Sequence, residues 1–545
     1  MAARDLATLE RHRDRFGAGA ATAKLVLLAR LDRTRLRTPR QVARLHEALC
    51  FMRAYPGDAL VLAAVEHLLE RFAGRTDLAR HRAALTGSGI AGTTLGFRFF
   101  WPSALWLANR WPAHLTLDRS DDDAEDAIAR ALPLLVTPAE AAALRELDLP
   151  GYEALDRLRG READAAFLVR RVAAMPGDSF TREAFFDAID ASFELAPGRD
   201  TPARTHAKLG FAPLAFGEAL IRHGRPSLRA ELCRPPVAVK RLSPQAGRRA
   251  VELGRAQMAT RERDIDGFAY GDGRDAWLVD DGDGLAFTLN GVAPERRAVV
   301  PATFGSLTLR NGVPIAYLQA DLAGRSAALS YHAFATFRGG EVAYAVARML
   351  TMLHYVLGAT SFALDPYQLG KGNDDGIASG AWWFYCKLGF RPRAAAVKRV
   401  LREELARIAA NPRHRSSPAT LRRLAEGHLV FDVDPRRPVP LPPAAKIGLA
   451  VADRLTRRGA REDAAREAMR ILGLRSLAGW TRNERLAWAR WAPVVLTLPG
   501  VSRWSAANRR ALLGVVRAKG GPSERAFLAR FNAHPLLGRV LLDQR

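Results

Sequence analysis

Between Ser326 and Leu364 the sequence changes its hydrophobic period twice, and this constrains the fold more than any other stretch of the 545 residues. Ser326 to Phe334 reads as a strand. After a glycine turn, Val342, Ala345, Val346, Met349, Leu350, Leu353 and Leu357 recur at three- and four-residue spacings, the stripe of a helix that buries one face. Gly358 stops that helix, and Thr360 to Leu364 is a second strand. A strand, a crossover helix and a second strand in one sheet form a right-handed parallel unit. The turn Arg338-Gly339-Gly340 enters the helix directly, so N–H groups at the helix N-terminus face open space above the strand end. That geometry binds anions such as a pyrophosphate.

The strands upstream read as an antiparallel meander. Ala276 to Val279 and Leu285 to Leu289 flank Asp280-Asp281-Gly282-Asp283-Gly284, a hairpin turn that resembles a calcium loop but lacks the downstream Glu such a loop requires. Ser306 to Leu309 and Val313 to Ala320 flank Asn311-Gly312, a strong hairpin signal. With a helix over Gly247 to Met258, residues 241–393 form the expected mixed-sheet domain. Residues 1–240 read as helices, broken at Tyr55-Pro56-Gly57, Gly87-Ser88-Gly89 and Met175-Pro176-Gly177. The acidic run Asp121, Asp122, Asp123, Glu125 and Asp126 precedes a helical segment, where carboxylates favour the helix N-terminus. Residues 394–440 read as a helical extension with a Pro-rich joint from Pro435, and residues 441–545 as a helical module. The expected class is α+β, a mixed-sheet domain between a large N-terminal helical region and a C-terminal helical module.

Composition narrows the function. At 48% apolar and 26% charged residues the chain is globular, which excludes disorder, collagen and a disulfide mini-scaffold. Net charge is +25, yet only eight of the 82 basic residues are Lys, and that skew reads as codon bias rather than as a nucleic-acid footprint. The basic excess concentrates in residues 441–545, with 20 Lys/Arg against 7 Asp/Glu, among which stand Trp480, Trp488, Trp491 and Trp504. Aromatics between guanidinium groups permit a nucleic-acid or anionic-surface partner, while buried packing anchors are the alternative. Cys50, Cys233 and Cys386 are odd in number and far apart, so they read as free thiols in a reducing compartment. No run reaches the ~18 apolar residues of a membrane span, and the charged N-terminus lacks the apolar stretch of a signal peptide. A cytoplasmic location is expected.

Two segments carry a family resemblance. Ala333-Phe334-Ala335-Thr336-Phe337-Arg338-Gly339-Gly340-Glu341-Val342-Ala343 is similar to a strand, an aromatic-Arg-Gly turn and a Gly-x-Gly/Ala helix start. Ala381-Trp382-Trp383-Phe384-Tyr385-Cys386-Lys387-Leu388-Gly389-Phe390 follows the second strand and is similar to Ala-x-x-aliphatic-Tyr-x-Lys-Leu-Gly-Phe. Both are motifs of the GNAT superfamily of N-acetyltransferases, which residues 300–393 resemble. The resemblance implies that acetyl-CoA or another acyl-CoA lies between the two parallel strands and donates its acyl group to an amine, with no metal. It implies further that Phe337, Arg338, Gly339, Gly340, Glu341, Val342 and Ala343 surround the pyrophosphate, and that Tyr385 protonates the leaving thiolate. Glu341 stands where relatives carry a glycine, and the loop Asp365 to Gly376 is longer than theirs.

For the general base, His332 on the strand before the turn is the leading candidate, with Asp365 and Asp374 near the second strand's end. A core tyrosine is the alternative at Tyr385, which shares a helix face with Ala381, Phe384 and Leu388. No Ser/His/Asp signature, phosphate-binding Walker loop, dinucleotide fingerprint or zinc-ligand spacing is present, which argues against the corresponding hydrolase, NTPase, dinucleotide and zinc readings. The expected function is an acyl-CoA-dependent N-acyltransferase. Its competitor is a non-catalytic scaffold whose basic tail binds nucleic acid or an anionic surface.

Overall fold

The computed structural model describes residues 2–120, 122–210, 213–217, 224–338, 341–441, 444–458 and 463–542. Three short strands, β1 (Leu95–Phe97), β2 (Leu115–Leu117) and β3 (Phe193–Leu195), form an antiparallel sheet in the order β1-β3-β2 inside the N-terminal region. The sequence reading of 1–240 as helices alone missed it, because three-residue strands are too short to display a period. The helices around it bury two cores, one over residues 6–90 and one mainly over residues 95–195.

Nine further strands build the central sheet. They are β4 (Ala238–Arg241), β5 (Gly271–Gly282), β6 (Leu285–Val292), β7 (Ala302–Arg310), β8 (Val313–Ala323), β9 (Ser326–Ala333), β10 (Ser361–Leu364), β11 (Arg391–Pro392) and β12 (Leu429–Asp432). Their spatial order is β11-β12-β10-β9-β8-β7-β6-β5-β4. The chain is thus mixed α/β, 56% helical, around a large mixed sheet. Asn311 and Gly312 both take positive φ, 49° and 79°, as the tight turn between β7 and β8 requires. Asn311 also donates to the carbonyl of Ala54 at 2.9 Å, which docks the turn on the end of helix Pro39–Ala54.

Between β9 and β10 the helix Val342–Leu357 crosses over, and the two strands lie parallel from Ser326 opposite Ser361 to Leu329 opposite Leu364. The sheet does not end at residue 393 as the sequence reading had it. β12, from the segment read as a helical extension, inserts between β10 and β11 and is antiparallel to both.

Side chains leave the strands alternately, so each strand serves two faces. One face packs Phe287, Phe304, Leu318 and Leu329 against Leu350 and Leu353 of the crossover helix, and against Trp491, Phe527 and Phe531 of the C-terminal helices. The other packs Leu307, Leu309, Tyr317 and Phe334 against Met258 and Phe268, and against Phe51 and Tyr55 from the N-terminal region. The module from 441 onward is therefore not packed by itself. Arg297 Nη1 donates to the carbonyl of Lys519 at 2.9 Å, and Lys519 Nζ donates to the carbonyl of Pro301 at 2.7 Å. Trp480, Trp488 and Trp491 are buried, so they anchor helices and present no ring for a base to stack on.

Candidate functional site

β9 keeps its partner on one side and loses it on the other. Against β8 it pairs from Ser326 through Ala333, but against β10 only as far as Leu329. β10 ends because Pro366 has no N–H to continue a ladder and Asp365 accepts from the N–H of Tyr367 at 2.8 Å, starting a helical turn. Ser330, Tyr331 and His332 are left with a strand edge that β10 does not cover.

The crossover helix opens beside that edge. Glu341 is its N-cap residue and makes no side-chain cap bond, and it is only 3% exposed. Its carboxylate turns inward to Arg310 at the end of β7, 3.8 Å away, and faces the hydroxyl of Tyr55. Burial, with Glu341 next, pushes the Tyr55 phenol far up, so it stays neutral and donates. Phe337 is buried against Phe51, ring centroids 6.3 Å apart, and near Tyr55. Val342 and Ala343 are half-buried in the first helical turn. Of the residues expected around a pyrophosphate, Gly339 and Gly340 lie outside the described residues. Phe337 and Glu341 point into the protein rather than toward a ligand.

Arg338 is exposed but folds back along β9. Its Nε donates to the carbonyl of Ala333 at 3.2 Å, and Nη2 lies 3.1 Å from His332 Nε2. The imidazole also sits against Tyr317, its cross-strand neighbour. Burial, reinforced by Arg263, Arg338 and Arg261, lowers His332 to about 4, so it is neutral at physiological pH and a weak proton acceptor. Its expected role as general base does not fit this environment.

Tyr385 lies on helix Ala381–Leu388, 6% exposed, edge-on to Phe390 with centroids 5.6 Å apart. Burial, with Tyr331 as the second cause, raises its pKa well above the ordinary phenol value. It therefore remains a proton donor across the physiological range. Tyr331 leaves β9 on the face shared with Leu318, whereas His332 leaves on the face shared with Tyr317, so the two expected catalytic residues approach β9 from different sides.

Sequence reasoning missed two groupings. On the His332 face, Gln319 and Asp321 of β8 stand across from Ser330 and Ala328, and Gln319 accepts from the N–H of Gly267 at 3.1 Å. Burial raises the Asp321 pKa. Strand alternation through Tyr317, Gln319 and Asp321 carries the signal, and the strand runs on to Ala323 rather than ending at Ala320. The second grouping is on helix Pro39–Ala54, where His46, Glu47 and Cys50 meet Arg204 and Thr336. Cys50 Sγ is 3.7 Å from His46 Nε2, Glu47 pairs with Arg204 at 3.0 Å, and the Thr336 hydroxyl donates to Glu47. Burial pushes the Cys50 thiol up, but His46 and Arg53 outweigh it and leave the thiol lowered. Arg204 and Thr336 are far in sequence from helix Pro39–Ala54, so no local motif announces their meeting with His46, Glu47 and Cys50. The cluster fastens the turn Ala335–Phe337 to the N-terminal helices.

Among the described residues no helix is long and apolar enough to cross a membrane, and no group of three or more His, Cys, Asp or Glu side chains is gathered as a metal ion would require. Comparisons with protein-family models, with curated proteins and with solved structures found no match to this chain.

Proposed function

We propose that the chain is an N-acyltransferase that takes an acyl thioester such as acetyl-CoA in the gap beside β9. One observation carries this reading, the early end of the β9/β10 pairing at Leu329 and Leu364. A pantetheine arm is extended and holds two amides, so it adds to the vacant edge at Ser330–His332 as a further strand would. The GNAT-like reading needs Ser326–Ala333 and Ser361–Leu364 to be parallel neighbours, and the register supports it. Glu341 is no obstacle to a nearby pyrophosphate, because its charge faces Arg310 inside the protein and the helix dipole remains directed outward.

In the reaction the neutral amine attacks the thioester carbonyl carbon, the C–S bond breaks, and the departing thiolate takes a proton from Tyr385. The nitrogen, cationic after attack, loses its proton to the Tyr385 phenolate, so the products are the amide and the free thiol and Tyr385 is regenerated. General acid catalysis typically contributes about 100- to 10,000-fold. Tyr385→Phe keeps the ring and its packing against Phe390. It should therefore slow single-turnover thiol release from acetyl-CoA with an amine acceptor at least about tenfold, while melting temperature and acetyl-CoA affinity hardly change. An unaltered rate removes Tyr385 from the mechanism, and a lost melting transition assigns it to the core.

A further inference from the structure

A cavity of about 590 Å³ lies between the N-terminal region and the sheet, lined by none of the residues of the β9 edge. One wall is a face of helix Pro244–Ala259, where Ala246, Arg249, Leu253 and Ala256 follow one another at three- and four-residue spacings. The opposite face of that helix has no room to spare, since a Cβ on Gly247 would meet the carbonyl of Gly273 and one on Gly254 the ring of Phe268. The helix is thus clamped to the sheet by its glycines and presents its other face to the cavity. Leu278 of β5 also lines the space.

The facing wall is aromatic. Trp106 and Trp111 meet edge to face, centroids 5.1 Å apart and planes at 85°. The Trp111 indole N–H donates to Asp200 at 3.1 Å, and the Trp106 indole N–H is buried with no acceptor among the described residues. Cations gather at the rim. Lys208 is paired with Glu66, whereas Arg110, with its guanidinium 5.2 Å from the Trp111 ring centre, and Arg249 have no carboxylate partner among the described residues. The lining carboxylates are Asp200, held by Trp111, and Glu252, which is within electrostatic reach of Arg255.

We propose that this cavity binds a small amphipathic anion. Its flat apolar body packs between the two tryptophans and Leu253, and its anionic head meets Arg110 and Arg249. The volume lies inside the usual range for small-molecule sites, and apolar walls with a few polar groups are their usual lining. Aromatic walls with guanidinium groups above them suit a planar ring bearing a carboxylate, sulfonate or phosphate. The site is independent of the acyl-transfer reading.

The test titrates naphthalene-2-sulfonate into the full chain, followed by calorimetry and tryptophan fluorescence, beside the uncharged naphthalene-2-methanol. One saturable site is expected, with the sulfonate bound more tightly than the alcohol. The double variant Arg110→Ala/Arg249→Ala should weaken the sulfonate at least about tenfold and leave the alcohol unchanged. Leu253→Trp and Ala256→Phe each fill the space and should abolish binding of both. The proposal is overturned by an absence of saturable binding to the wild-type chain or by a sulfonate bound no better than the alcohol. It is also overturned by binding that persists in a filled variant with the wild-type melting transition.

Discussion

The two faces of the central sheet are built from the same strands and do different work. Toward the crossover helix and the C-terminal helices, β6 to β9 present Phe287, Phe304, Leu318 and Leu329, and the charged pairs there, Arg348 with Asp281 and Lys519 with Glu524, are fully enclosed. Toward the N-terminal region, β8 and β9 present Tyr317, Gln319, Asp321, Ser330 and His332, beside the buried guanidinium of Arg261. Alternation lets one strand serve both purposes, because each residue faces away from its neighbours. The first face is the larger apolar core and also holds Tyr385, while the second sets polar groups beside a smaller apolar core.

The largest effect is expected on the apolar face. Trp491 is fully buried there, so Trp491→Ala should cost about 3–5 kcal/mol in urea unfolding and leave acetyl-CoA affinity unchanged. A loss below about 1 kcal/mol would mean that the C-terminal helices are not part of the same core. A smaller effect, confined to acid, is expected on the polar face. His332 sits at about 4 when folded and near the ordinary value of 6.5 when unfolded, so the unfolded chain gains the proton first as pH falls. Its contribution to stability is present in full above about 6.5 and is lost on going down through 4, a change of about 1–3 kcal/mol. His332→Gln should flatten that part of the stability profile and retain most of the acyl-transfer rate. A rate lost with a single group titrating near neutrality would restore His332 as the base.

The crossover helix was legible because its apolar residues alone set the period, and the hairpins because Asn311-Gly312 and the Asp/Gly run admit few other conformations. What stayed hidden depends on distant partners. β12 returns to the sheet from beyond helix Ala395–Ala410 and pairs by backbone bonds that carry no sequence mark. Glu341, which stands where GNAT relatives carry a glycine, is balanced by Arg310 and Tyr55, one from the end of β7 and one from the N-terminal region. The Asp281 of the hairpin run resembled a calcium ligand, yet it binds Arg348 through both carboxylate oxygens, at 2.6 and 2.7 Å. Charged residues in a turn look alike in sequence whether they bind a cation or a guanidinium.

The proposed acyl transfer depends on the edge of β9 beyond Leu329 that β10 leaves uncovered, and amide hydrogen exchange reads that edge residue by residue. Saturating acetyl-CoA should slow exchange at least about tenfold within Ser330–Ala333, where a pantetheine amide would accept, and leave the interior of β7 unchanged. Saturable binding with no added protection at those residues, or with protection only at the cavity beside Trp106, would contradict the account.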